Sequence, residues 1–261
     1  MKRCLGLSLL TVLSVTGSLW AADGDVAGVH RLTPTKAVRL QWQYDGDQGP
    51  SHWGALAPTT ASCENGTHQS PVNIRTASHL QGHDGLLIRY TAVPGQVVTS
   101  SHTVEVNFQS GGTLEILGRS YALKEFHFHA PSEHQLNGRP YPMEAHLVHR
   151  DETGHLVVLA VLMDVGMQSS SMSAVWERIP SGKEEAVRDL LFNPQALLPV
   201  DLHHYAYDGS LTTPPCTEGV HWIVLKAPIA ITATHLERFI AVIGYNARPV
   251  QPLNEREIDE E

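Results

Sequence analysis

The chain has 261 residues, of which 42% are hydrophobic, so it has the composition of an ordinary folded protein with a sizeable core. Its length fits one large domain or two. The formal net charge of -9 and the lack of a basic patch argue against a nucleic acid as partner.

Residues 1–22 have the layout of a secretory signal peptide. Lys2 and Arg3 precede an apolar run over residues 4–20, and small residues for cleavage follow at Ala21 and Ala22. A membrane anchor is the alternative, but the run is short and contains Ser, Thr and Gly. We therefore expect cleavage after Ala21 or Ala22 and a periplasmic or secreted protein that has no membrane span afterwards.

Cleavage would leave two cysteines, Cys63 and Cys216. In an oxidising compartment two cysteines most simply form one disulfide. Such a bond would close a loop of about 150 residues, worth about 5 kcal/mol in the chain-entropy account. A cysteine that binds a metal or acts as a nucleophile is the alternative.

Residues 23–49 are predicted to be an extended lead-in, residues 50–254 the folded domain and residues 255–261 a charged, solvated tail. Short β-rich runs separated by Gly, Pro and Asn predict one large, mostly antiparallel sheet. The runs cover residues 86–93, 96–101, 103–108, 113–117, 121–129, 144–150, 156–165 and 222–227. Helices are predicted only at 173–179, 184–191 and 235–243.

The fifth run ends in Glu125-Phe126-His127-Phe128-His129. Successive side chains of a strand point to opposite faces, so Glu125, His127 and His129 share one face and the phenylalanines the other. The two imidazoles then lie roughly 6.5 Å apart along the strand, within reach of one metal ion. A single strand histidine is more often structural, and copper and iron sites also use a His-x-His pair.

The sixth run repeats this arrangement, with Glu144 and His146 on one face. If the two strands pair, His146 completes a set of three imidazoles. Three imidazoles with a fourth position open are typical of catalytic zinc, whereas a structural site normally uses four protein ligands. The glutamates on the same face strengthen this interpretation, because metal-bound imidazoles usually donate their other N–H to an oxygen.

A wider set of motifs resembles the α-class carbonic anhydrases of the bacterial exported type. The matching segments are His52-Trp53-Gly54, Gln69-Ser70-Pro71-Val72, Phe126-His127-Phe128-His129, Ser132-Glu133-His134, Glu144-Ala145-His146-Leu147-Val148-His149, Ser210-Leu211-Thr212-Thr213-Pro214-Pro215 and Asn246-Ala247-Arg248-Pro249. The resemblance implies a mainly β, single-domain fold on a large, twisted, mostly antiparallel central sheet with a few short peripheral helices. It also implies Zn2+ at the base of a conical cavity.

The resemblance places Zn2+ on His127, His129 and His146. It implies reversible hydration of carbon dioxide to bicarbonate and a proton, by attack of zinc-bound hydroxide. Glu125 would hold the His127 ring, the backbone carbonyl of Asn246 the His129 ring, and Glu144 the His146 ring. Many relatives have Gln at the position of Glu125. His134 and His149 are interpreted as structural.

The remaining roles are likewise implied by the resemblance. Thr212 would accept the hydroxide's proton in a hydrogen bond and donate its own to Glu133, and His102 would carry the released proton out of the cavity. The substrate pocket would be lined by Val148, Val158, Leu211, Thr213, Val220 and Trp222. The tyrosine that often follows the family's Trp-Gly is expected to be absent, because Ala55 and Leu56 follow Trp53-Gly54.

Cys63 and Cys216 match the disulfide of exported bacterial members, which would brace the segment that carries Thr212. Two other functions stay open: a non-catalytic zinc-binding or interaction module on the same fold, and a different metalloenzyme, such as an iron oxygenase. The resemblance leaves both a monomer and a homodimer open.

Overall fold

The structure is a computed structural model that describes residues 40–75, 79–80, 85–167, 170–180, 182 and 185–261. The predicted signal peptide and residues 23–39 of the predicted lead-in lie outside the described residues. No helix within the described ranges is long and apolar enough to span a membrane.

Strands dominate the described residues. They are β1 (Asn73–Ile74), β2 (His79–Leu80), β3 (Leu87–Tyr90), β4 (Val93–Thr99), β5 (Val104–Phe108), β6 (Gly112–Ile116), β7 (Arg119–His129), β8 (Gln135–Leu136), β9 (Arg139–Pro140), β10 (Met143–Arg150), β11 (Leu156–Val165), β12 (Glu185–Phe192), β13 (His204–Ser210), β14 (Glu218–Ile231) and β15 (Asp259–Glu260). The helices are α1 (Ser62–Asn65), α2 (Ser170–Trp176) and α3 (Ala233–Ile243), with short 3-10 helices at Gly46–Gln48, Pro50–Ala55, Pro58–Thr60 and Pro194–Leu197.

One twelve-stranded sheet organises the compact unit Leu40–Glu261. Its strand order is β12-β4-β5-β7-β10-β11-β14-β13-β15-β2, with β6 paired to both β7 and β3. Neighbouring strands are antiparallel except β11 with β14 and β15 with β2. The predicted fold class, a large and mostly antiparallel sheet with a few short helices, is confirmed.

The pairing of β7 with β10 puts the predicted histidines side by side. His127 lies directly opposite His146, and His129 lies opposite Glu144. Directly opposite residues of an antiparallel pair project from the same face. The next pair along these strands, Phe126 and Leu147, projects from the other face and is fully buried in the main apolar core. The histidine face is therefore backed by close-packed core.

Helix α3 directs the C-terminal segment back towards these strands. It begins after Thr232, whose side chain accepts a hydrogen bond from the His235 N–H, and buries Phe239 and Ile243. It ends at Gly244, whose φ of 92° is readily available only to glycine. The chain then runs directly into Asn246, next to the site.

The predicted helix at 184–191 is wrong, because residues Glu185–Phe192 form strand β12. The apolar residues at 187, 190 and 191 fit helical spacing, but the segment pairs with β4 and buries Leu190 and Phe192 in the core. Tertiary pairing outweighs a short local pattern here.

The charged tail also differs from the solvated end that the sequence predicts. Its residues Asp259–Glu260 form β15, which pairs with β13, a strand that the sequence pattern missed. Ile258, just before β15, is buried. The tail therefore joins the sheet because it completes a strand pair and covers an apolar side chain.

Candidate functional site

Three imidazoles converge at the centre of the sheet. Ligand nitrogens of His127, His129 and His146 lie within 4.8 Å of one another. The ring centroids are 4.6 to 5.2 Å apart. His129 and His146 are buried, and His127 is partly exposed. The cluster is therefore reached from one side, past His127.

One nitrogen of each ring is held by an oxygen. The bonds are His127 Nδ1–H to Glu125 Oε2 at 2.9 Å, His129 Nδ1–H to the Asn246 backbone carbonyl at 2.8 Å, and His146 Nε2–H to Glu144 Oε1 at 2.9 Å. The other nitrogen of each ring then keeps a lone pair. His129 Nε2 is buried without a hydrogen-bond partner among the described residues. Since an unsatisfied buried polar atom is costly, and imidazole suits zinc, the residues present fit a zinc ion.

Burial keeps two of the rings neutral, as metal binding requires. It lowers the pKa of His146 to about 4 and holds the pKa of His129 well below its ordinary value. His127 differs: burial lowers its pKa, but the neighbouring Glu125 carboxylate outweighs burial and raises the pKa to about 8. Glu125 therefore favours a positive charge at the most exposed corner of the cluster.

Behind His146, a buried hydrogen-bond chain fixes the Glu144 carboxylate. His134 donates from Nδ1 to Glu144 Oε1 at 2.6 Å and from its backbone N–H to Oε2 at 2.8 Å. The chain continues from His134 Nε2 to the Tyr207 hydroxyl at 2.7 Å and on to Ser70 at 2.9 Å. Burial raises the pKa of Glu144, but His134 and His146 outweigh it and hold the pKa well below its ordinary value. Sequence reasoning did not connect His134 with Glu144.

Asn246 ties three backbone segments together. Its Nδ2 donates to the carbonyls of His102 and Phe128, each at 2.9 Å, and its Oδ1 accepts from the Ala130 N–H at 2.8 Å. Its own carbonyl holds His129. One residue thus sets the position of His129 and of the backbone that carries His102.

Glu133 and Thr212 lie beside the cluster, and both are buried. Glu133 Oε1 accepts the backbone N–H of Arg248 at 2.8 Å. Burial raises the pKa of Glu133 to about 8, although Arg248 and the Thr212 side chain act in the opposite direction. Oε2 has no partner within hydrogen-bond distance among the described residues and lies 3.9 Å from His146 Nδ1. A small movement of the Thr212 side chain would therefore let its hydroxyl donate a hydrogen bond to Glu133 Oε2.

The predicted disulfide between Cys63 and Cys216 is present, with an Sγ–Sγ distance of 2.09 Å. The Cys216 N–H also bonds to the Thr213 carbonyl at 2.8 Å, which ties the bond to the segment after Thr212. At the other cysteine of the disulfide, the buried Arg248 guanidinium donates to the Cys63 backbone carbonyl at 2.9 Å. Sequence reasoning missed Arg248, although it lies inside a matched segment.

An apolar wall flanks His146. Val158, Val220 and Trp222 belong to one buried cluster, against which the partly buried Val148 and Leu211 pack. The Trp222 ring lies 4.8 Å from the His146 ring. Thr213 is partly exposed beside Thr212. Trp222 therefore brings this apolar cluster, which contains five of the six side chains that the resemblance assigned to the substrate pocket, next to His146.

His102 lies against the last part of the predicted lead-in. Its ring stacks on Trp42 with centroids 3.6 Å apart, and Nε2–H donates to the Trp42 carbonyl at 2.8 Å. The Tyr44 ring lies 6.4 Å from the His102 ring. Burial raises the pKa of Tyr44, and the Glu133 charge raises it further, while Arg248 acts in the opposite direction.

No tyrosine follows Trp53-Gly54, as the sequence states, but another tyrosine, Tyr44, packs in this region. Tyr44 lies eleven residues before Ala55, in the predicted lead-in and outside the predicted domain, which begins at residue 50. Trp42 and Tyr44 both pack edge-on against the buried Trp53, at 5.2 and 5.6 Å. The signal in the sequence was the Trp42-Gln43-Tyr44 triplet, since two aromatic residues so close together are unusual for an extended lead-in.

Comparison with known proteins agrees with this geometry. The model of the eukaryotic-type carbonic anhydrase family matches residues 48–261. A carbonic anhydrase of Neisseria gonorrhoeae is 43% identical over 84% of this chain and 87% of its own length. One of Pectobacterium atrosepticum is 41% identical over 83% and 89%. The α-carbonic anhydrase of Thermovibrio ammonificans, solved with the inhibitor sulfanilamide, superimposes with a TM-score of 0.82 at 40% identity, covering 85% of this chain and all of that one.

Proposed function

The chain belongs to the eukaryotic-type carbonic anhydrase family, and we propose that it hydrates carbon dioxide reversibly to bicarbonate and a proton at a zinc ion. The ligands are His127, His129 and His146. The observation that carries the proposal is the convergence of three imidazole nitrogens beside Thr212. One of them, His129 Nε2, is buried and has no hydrogen-bond partner among the residues that the structure describes.

His127, His129 and His146 would hold the zinc ion, which would supply hydroxide at neutral pH by lowering the pKa of a bound water to about 7. The chain supplies the rest. Glu125, Glu144 and the Asn246 carbonyl hold the three rings in the tautomers that aim their lone pairs at one point.

Thr212 and Glu133 orient the attacking oxygen. Because the Arg248 N–H occupies Glu133 Oε1, the oxygen left for the Thr212 hydroxyl is Oε2. Once Thr212 donates there, its own oxygen can only accept the proton of the nucleophile. The nucleophile then directs a lone pair towards carbon dioxide.

Carbon dioxide carries no charge, so an apolar wall is the appropriate place to hold it. Val158, Val220 and Trp222 form that wall next to His146. Bicarbonate is charged, and burying a charge against an apolar wall is costly, which favours its release to water.

The proton leaves through His102, because histidine is the side chain best suited to take up and release a proton near neutral pH. Its Nε2–H is donated to the Trp42 carbonyl, so the proton is taken up at Nδ1, which lies 3.1 Å from the Ser101 hydroxyl. Stacking on Trp42 fixes the ring in that orientation.

We further propose that the protein is exported and acts in the periplasm or outside the cell. The signal-peptide pattern of residues 1–22 and the Cys63–Cys216 disulfide support this, since disulfides persist in oxidising compartments.

Stopped-flow measurement of carbon dioxide hydration tests the function. Wild type should be active, lose activity with a zinc chelator and contain one zinc per chain, whereas His146→Ala should lose both zinc and activity. His52→Ala, which changes an exposed histidine, is the matched control and should behave as wild type. Zinc binding without hydration would instead indicate the non-catalytic module, and iron in the purified protein a different metalloenzyme.

A further inference from the structure

The face of the sheet that carries the three imidazoles changes from polar to apolar across its strands. Two rows of directly opposite residues cross this face from β5 to β14, and the side chains of such a row project from the same face. One row consists of Glu105, His127, His146, Ala160 and Val224. The row beside it consists of Asn107, Glu125, Val148, Val158 and Trp222. Each row is therefore polar at β5 and apolar at β14.

Two carboxylates flank His127 at the polar end. Glu105 lies directly opposite His127 on the neighbouring strand, and Glu125 Oε2 accepts the His127 Nδ1–H at 2.9 Å. All three residues are partly exposed, whereas His129 and His146 are buried. Since the imidazole cluster is reached past His127, a ligand that approaches it passes both carboxylates.

The negative charge of Glu105 extends to the metal ligands. Burial raises the pKa of Glu125, His127 lowers it, and the charge of Glu105 raises it further. Burial lowers the pKa of His127, whereas Glu125 and, less strongly, Glu105 raise it. Glu105 thus acts electrostatically on both groups, in agreement with its place in the register.

These carboxylates are not neutralised by basic side chains. The two rows, as described from β5 to β14, contain no Lys or Arg. Glu105 also forms no ion pair and no side-chain hydrogen bond with the residues that the structure describes. A charge in a partly buried position is screened less by water than one at an open surface, so it acts strongly on a neighbouring anion.

We propose that Glu105 and Glu125 form an acidic wall that weakens the binding of anions at the three imidazoles' metal ion and leaves uncharged carbon dioxide unaffected. This inference rests on the proposed function, in which the product is the bicarbonate anion. The apolar side chains at the other end of the rows hold the neutral substrate. The acidic wall opposes rebinding of the product and binding of other anions from the surroundings.

Titration with thiocyanate, an anion that is not turned over, tests the proposal. Protein loaded with Co2+ in place of zinc reports ligands at the metal by its visible absorption, without any need for activity, and a mildly acidic buffer limits competition by hydroxide. Glu105→Gln should bind thiocyanate about fivefold more tightly than wild type, because a nearby like charge is removed. Glu105→Asp keeps the charge and should stay within about twofold of wild type.

Glu125→Gln is a second variant with an independent effect. Its amide oxygen can still accept the His127 N–H, so the ring stays held while the charge is lost. It should strengthen thiocyanate binding by a factor similar to that of Glu105→Gln. Glu152→Gln is the matched control, because it removes the same charge from an exposed turn and should bind thiocyanate like wild type.

The uncharged ligand 1,2,4-triazole separates an effect of charge from a change in the metal site itself, since it should bind equally to wild type and to every variant. Thiocyanate binding that is equal in wild type and both glutamine variants, triazole binding that tightens together with thiocyanate binding, or a wild type that holds no metal would overturn the acidic wall. Hydration by the zinc-loaded wild type is measured in parallel. Metal-loaded protein without hydration would refute the proposed function, while the comparison of thiocyanate affinities would still decide whether the wall repels anions.

Discussion

His149 is predicted to make the protein unstable in acid. The ring is fully buried on the face of β10 opposite the metal ligands. Its Nδ1–H donates to the Val157 carbonyl at 3.3 Å, so Nε2 accepts the hydrogen bond from the Tyr90 hydroxyl at 2.6 Å. Both nitrogens are satisfied only while the ring is neutral. Replacing His149 with Gln removes the titrating group.

The magnitude follows from the pKa. Burial lowers the pKa of His149 from 6.5 to about 4. As the pH falls, the His149 ring is therefore protonated more readily in the unfolded chain than in the folded one. The free energy of unfolding decreases between about pH 6.5 and pH 4, and this ring does not affect it above that range. The full loss is about 3 kcal/mol at ~1.36 kcal/mol per pKa unit, of which about 2 kcal/mol is lost by pH 5.

Urea unfolding of the zinc-loaded protein at pH 7.5 and pH 5 measures this effect. Wild type should lose about 2 kcal/mol more than His149→Gln between the two pH values. His52→Gln, which changes an exposed histidine, should lose as much as wild type. If His149→Gln and wild type lose the same free energy, the ring is not held neutral and the reasoning fails.

Four substitutions or sets of substitutions near the site have separate expected results. Thr212→Ala should lower kcat/KM for hydration about 100-fold and Thr212→Ser far less, because only the hydroxyl orients the nucleophile; equal losses would contradict that role. Glu144→Gln should weaken zinc binding about 10- to 100-fold in a chelator competition, since the carboxylate holds His146. Replacing Cys63 and Cys216 with serine should cost up to about 5 kcal/mol in urea unfolding and slow catalysis; unchanged activity would show that the bond does not brace Thr212. His102→Ala should lower kcat more than kcat/KM and regain kcat in imidazole buffer, and no rescue would point to another proton carrier.

The histidine strands could be predicted from sequence because their signal is local. Alternation alone puts His127 and His129 on one face, and Phe126 marks the other face as core. The same rule groups Glu144 with His146. Pairing of the two strands then needs only the ordinary preference for neighbouring antiparallel partners.

Other features depend on contacts between distant residues, which a local pattern does not contain. Strand β12 has helical spacing but is held by β4, which lies about 90 residues earlier. Tyr44 falls within the predicted extended lead-in, because only its packing on Trp53 shows that it belongs to the site. The acidic wall likewise follows from the register of β5 with β7, which places Glu105 opposite His127.

The position of Asn246 determines when the active site can form. The three ligands occupy residues 127–146, yet the carbonyl that holds His129 lies 117 positions further along the chain. A nascent chain that stops before Asn246 contains all three histidines but lacks the backbone carbonyl that holds the His129 ring. With zinc bound as proposed, stable metal capture is expected late in maturation, and a protein shortened at α3 is expected not to retain its ion however well the sheet forms.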